Sequence, residues 1–77
     1  MSSCNLDHSR EDVLHKLSQQ DEFLPHGLTG EIESFLGEEQ SQETLNEVFH
    51  LLKKYDLSST EERESRNERL EALLVKG

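Results

Sequence analysis

One thiol, two imidazoles and two carboxylates fall close together near the start of the chain: Cys4, His8, Glu11, Asp12 and His15. Cysteine, imidazole and carboxylate are the ligand types that hold a borderline cation such as zinc. On a continuous helix turning about 100° per residue, Cys4, His8 and His15 share a narrow arc opposite Val13 and Leu17. The spacing matches no established zinc motif. Ser9 also reads as an N-cap, which puts Cys4 and His8 ahead of the helix and breaks the arc. A small metal-binding protein using Cys4, His8 and His15 is the alternative reading. The principal reading of this stretch is a solvated helix face beside an N-terminal arm, with no resident metal or cofactor.

The other chemistry-bearing residues do not assemble. His26 follows Pro25 in a turn, and His50 falls on the polar side of a helix, with no serine or cysteine spaced to form a triad. Carboxylates abound, but an acid and base pair for glycoside hydrolysis needs a cleft that short helices do not provide. The glycines at 27, 30, 37 and 77 form no phosphate loop, and no EF-hand loop is present. The chain therefore reads as a non-enzyme.

Charge is the more informative pattern. Between Lys16 and Lys53 there is no lysine or arginine, yet the stretch carries Asp21, Glu22, Glu31, Glu33, Glu38, Glu39, Glu43 and Glu47. The net charge of the whole chain is −9. A field of one sign repels nucleic acid and anionic membrane and steers basic partners. Three readings follow: a solubilising surface, a docking face for a basic protein, and mimicry of a nucleic-acid backbone that blocks a basic binding site. Glu43 and Glu47 lie one turn apart, and Glu31 lies on another helix. The solubilising surface ranks first and docking above mimicry, with Glu31, Glu43 and Glu47 as the candidate acidic contacts.

Arg63 and Arg66 are the candidate basic contacts. They share a face with Leu70, Leu73 and Leu74, so two arginines stand where an apolar stripe should continue. Internally, they would reach acids on the other helices with their stems over the core edge. Externally, they would face a partner. The unbalanced acidic segment favours the internal explanation.

Four helices position these groups. Ser9 caps the first, about 10–22, with Asp12 completing a capping box. Pro25 opens the second, about 25–36, on whose face lie Leu28, Ile32, Phe35 and Leu36; Gly37 would close it in a left-handed conformation. The third, about 42–55, carries Leu45, Val48, Phe49, Leu52 and Tyr55, with Lys53 and Lys54 in its last turn to suit the helix dipole. Ser59 and Glu62 form a second capping box for the fourth, about 60–75. The expected core is Val13, Leu17, Leu28, Ile32, Phe35, Leu45, Val48, Phe49, Leu52, Leu70 and Leu73.

The expected fold is all-α: a small three- or four-helix antiparallel bundle over 9–77 behind a flexible arm at 1–8. Seventy-seven residues, 31% of them hydrophobic, make one domain. Such a core supplies only ~3–5 kcal/mol, so a homodimer or a bound partner would help. A lone cysteine suits a reducing compartment, and the first twenty residues lack the apolar core of a signal peptide. The expectation is a cytoplasmic protein–protein interaction or regulatory module with a basic protein partner, binding neither nucleic acid nor membrane.

Overall fold

Three serines start three of the four helices. Ser9 Oγ accepts the Asp12 N–H at 3.1 Å while the Asp12 carboxylate accepts the Ser9 N–H at 3.4 Å, so both halves of the expected capping box form. Ser41 Oγ accepts from Thr44 N at 3.1 Å, and Ser59 Oγ from Glu62 N at 3.2 Å. The resulting helices are α1 (Arg10–Gln20), α3 (Gln42–Leu52) and α4 (Thr60–Lys76). The computed structural model describes residues 7–76, and no strand occurs among them.

The remaining helix, α2 (Leu28–Gly37), departs from expectation at both ends. Pro25 is not its first residue. It stands in a turn, with its carbonyl accepting the Leu28 N–H at 3.1 Å, and Gly27 at φ 91° breaks the helical path before Leu28. Gly37 is not left-handed either. It is the last helical residue, and Glu38 leaves in an extended conformation. The Phe35 carbonyl is satisfied by the Glu38 N–H at 3.2 Å and by the Gln40 side-chain amide at 2.9 Å, so no positive φ is needed there.

The first and third helices stop short of their expected ends and tighten into 3-10 turns at Asp21–Phe23 and Tyr55–Leu57. After α3 the reversal is made by Lys54, a non-glycine residue at φ 60°. It therefore does the left-handed work that usually falls to glycine.

The helices alternate in direction. Arg10 at the start of α1 reaches the Glu38 carbonyl just past the end of α2. The α1 and α3 helices run parallel across the bundle: Gln42 bonds the His8 carbonyl at one end, and Gln20 bonds Asp56 at the other. The α4 helix then returns along α3. The closest packing is between α1 and α3. The radius of gyration is 11.8 Å, close to the roughly 11.5 Å of a compact chain this long.

Inside, Val13, Leu17, Ile32, Leu36, Val48, Leu52, Tyr55 and Leu70 are essentially solvent-free, with Leu24, Leu28, Phe35 and Leu51 around them. Leu45, Phe49 and Leu73, expected in the core, are only half-buried on its edge. Phe49 is covered by an unexpected partner. The His8 imidazole stacks on it with ring centroids 3.6 Å apart, and the His8 N–H donates to Asn46 Oδ1 at 2.9 Å. Asp7 and His8, expected in the arm, thus contact α3, Asp7 by accepting from the Asn46 side-chain amide at 3.3 Å; the rest of the expected arm, 1–6, lies outside the described residues.

The test of this core is a pair of leucines. Leu52→Ala removes a side chain with no exposure and should lower the unfolding free energy by about 2–5 kcal/mol. Leu57 is 77% exposed, and Leu57→Ala should stay within about 0.5 kcal/mol of the parent. Urea titrations of both variants check this, and equal losses would mean that α3 is misplaced.

Candidate functional site

The ends of helices leave carbonyls without intrahelical partners, and α3 ends against the start of α4. Arg66 reaches across from α4 to that end. Its Nη1 lies 2.9 Å from the carbonyls of Leu51 and Lys53 and 3.3 Å from that of His50. Its Nη2 pairs with Glu62 one turn earlier at 3.3 Å, and the side chain is only 20% exposed. A guanidinium is suited to this because its fork carries several donors in one plane, and a cation also complements the negative end of a helix dipole. The sequence points to Lys53 and Lys54 for that role, but both are exposed beyond the helix.

Arg63, one turn earlier on α4, does the same to the next segment. Its Nε donates to the Tyr55 carbonyl at 3.1 Å and its Nη2 to the Asp56 carbonyl at 2.9 Å. The guanidinium carbon sits 5.4 Å from the Tyr55 ring centre and 5.6 Å from that of Phe23. Tyr55 completes the seam by donating its hydroxyl to Asn67 Oδ1 at 2.7 Å. From the other side, the buried Gln20 amide donates to Asp56 Oδ1 and accepts the Asp56 N–H, both at 3.1 Å.

Both arginines are thus engaged inside the molecule, but mainly by backbone carbonyls. The acids on the other helices are not their partners. All eight carboxylates of the base-free stretch are exposed, and among the described residues the one ion pair is Arg66 with Glu62 on α4 itself. Glu43 and Glu47 project from α3 into an open groove shared with His50, Leu51, Arg66 and Arg69 of α3 and α4. Glu31 does not join them. It lies in a separate groove between α2 and α4. The expected contacts therefore divide into a pair beside Arg66, a lone Glu31, and an Arg63 occupied at the connection.

The N-terminal histidines separate likewise. His8 lies against Phe49, with His50 edge-on at 5.8 Å between ring centres, while His15 contacts Gln19 one turn along α1 at 3.3 Å. Among the described residues no three histidine, cysteine, aspartate or glutamate side chains converge as a metal site. Cys4 lies outside those residues. No helix among them is long and apolar enough to cross a membrane.

Sequence reasoning missed Gln20, Asn67 and the carbonyls that Arg63 and Arg66 hold. The one available signal is the absence of apolar residues from Glu61 to Arg69, which says that this half of α4 must meet the body through polar groups. No protein-family model, curated protein sequence or solved structure matches the chain, so no relative contributes a function.

The arginine seam predicts an asymmetry. Arg66→Ala frees three carbonyls and should cost about 1–3 kcal/mol of stability. Glu62→Ala removes only an exposed i,i+4 pair and should cost about 0.5 kcal/mol or less. Arg66→Lys should recover part of the loss, because an ammonium can reach fewer of the carbonyls at once. Chemical denaturation of the three variants checks this, and equal costs for Arg66→Ala and Glu62→Ala would contradict it.

Proposed function

We propose that this chain is a non-enzymatic docking module for a basic protein partner, contacted through its exposed carboxylates, Glu43 and Glu47 foremost. One observation carries the reading. The eight carboxylates of the base-free stretch all face solvent, and Arg63 and Arg66 are held by backbone carbonyls and not by those acids. A surface that only needs solubility can intersperse both signs. Here the base-free stretch stays one-signed while Arg63 and Arg66 are turned inward, and of the exposed lysines and arginines Arg69 alone borders Glu43 and Glu47.

Such a surface acts mainly on encounter. Long-range attraction raises the association rate toward a basic partner and weakens as salt shortens the screening length to about 10 Å at 0.1 M. Glu43 and Glu47 stand one turn apart on α3, beside a groove whose floor includes Leu51, so charge and a little apolar surface lie together. Glu31 extends the field to the α2–α4 side.

The test is capture from a lysate of the native cells with washes of rising salt, comparing the parent with the Glu43→Lys/Glu47→Lys variant. Both positions are exposed, so the variant should fold within about 0.5 kcal/mol of the parent. A protein retained by the parent at low salt should be lost from the variant. With that protein purified, the on-rate should fall about tenfold or more while the off-rate changes less. Capture of the same proteins by parent and variant would contradict this reading.

A further inference from the structure

The larger of these two grooves is not the one beside Glu43 and Glu47. It is an open trough of about 900 Å³ between α2 and the last turns of α4. Its apolar lining is Phe35, Leu74 and Val75, of which Phe35 is buried with one edge toward the trough, Leu74 is half-buried and Val75 is 85% exposed. Three acids stand along it, Glu31 and Glu38 from the α2 side and Glu71 from α4, all exposed. No described base lines it.

The trough is open because α2 presents small residues to it. Gly27, Gly30 and Ser34 lie one turn apart on this side, and a Cβ built on Gly30 meets nothing within 4 Å. Gly27 has a conformational reason to be glycine, at φ 91°. Gly30 has none: it is helical, in open space, at a position where almost any other residue would favour the helix more. What its missing side chain does provide is room for another backbone to approach α2.

We infer that this α2–α4 trough takes an amphipathic basic helix of a partner protein, seating an apolar stripe on Phe35, Leu74 and Val75 while lysines or arginines meet Glu31, Glu38 and Glu71. A helix fits because the trough runs between two helices, and the ten residues of α2 give it a length of roughly 15 Å, about three turns. The charge excludes a second copy of this chain as the occupant, since each copy brings a net −9 and the rim itself is acidic. A small molecule fits poorly, because so open a trough cannot enclose most of its surface. The inference rests on the reading of the chain as a docking module and names where and what it docks.

The experiment uses the whole chain and a synthetic amphipathic helix of roughly 15 residues with leucines on one face and lysines elsewhere. The control is a peptide of the same composition, scrambled to lose the apolar face. Amide shift changes in NMR should concentrate on α2 and the end of α4, and the scrambled peptide should bind far more weakly. Gly30→Gln fills the trough without adding charge. It should raise the melting temperature, because it removes a mid-helix glycine, and weaken peptide binding by about tenfold or more. Glu31→Gln/Glu71→Gln should weaken binding and flatten its salt dependence. Glu43→Gln/Glu47→Gln, away from the trough, should change binding by less than about threefold.

Binding that survives Gly30→Gln, or that maps to the α3–α4 groove instead, overturns the trough while leaving a basic partner for the Glu43 and Glu47 face. No saturable binding, or a dimer held through the trough in sedimentation, overturns it as well.

Discussion

The end of α3 is the constraint on which the rest of the structure depends. A helix that stops inside a small body must find donors for its last carbonyls, and the short segment from Lys53 to Ser58 has few of its own. Arg66 supplies them for His50, Leu51 and Lys53, and Arg63 for Tyr55 and Asp56. These contacts set the direction in which α4 leaves and the side it lays against α3. They also hold Tyr55 in the core, where its hydroxyl meets Asn67. From α1, Gln20 fastens the same segment through Asp56. Three helices thereby converge on one connection of a few residues.

This arrangement has an electrostatic consequence. Cations committed to carbonyls still carry their charge, but they are fixed at one seam and cannot follow the acids of α2 and α3. The carboxylates along α2 and α3 thus stay exposed while Arg63 and Arg66 are held at the seam. The two open grooves flank α4 on opposite sides, one shared with α3 and one with α2, and both are acidic along the facing helix. Glu43 and Glu47 belong to the first groove and Glu31 to the second, so the charge forms two faces, not a single array.

Much of the fold is legible in the sequence because its signals are local. Ser9, Ser41 and Ser59 act within three residues of themselves, and the spacing of Leu28, Ile32, Phe35 and Leu36 is that of one helix face. The misreadings come where two local rules compete or where a contact is distant. Pro25 can open a helix, but Gly27 in a left-handed conformation delays the start. Gly37 can close one, but Gln40 reaches back to the Phe35 carbonyl and makes that unnecessary. Phe49 reads as core until His8 is found lying on its ring. The candidate site was less legible still. Sequence marks Arg63 and Arg66 as turned inward but points to carboxylates, since nothing in residue identity reveals a bond to a carbonyl fifteen positions away. The groove beside Gly30 is likewise silent, because a glycine signals permission and not purpose.

The carboxylates of the base-free stretch are exposed and Arg63 and Arg66 are held within, and the ionic-strength dependence of stability tests that arrangement most directly. If the exposed carboxylates repel one another and lack cationic partners, adding sodium chloride at neutral pH should screen the repulsion and raise the unfolding free energy. Choline chloride should do the same, since the effect is screening and not cation binding. A fall in stability as either salt is added would mean that the acids are held by ion pairs, and would contradict the account.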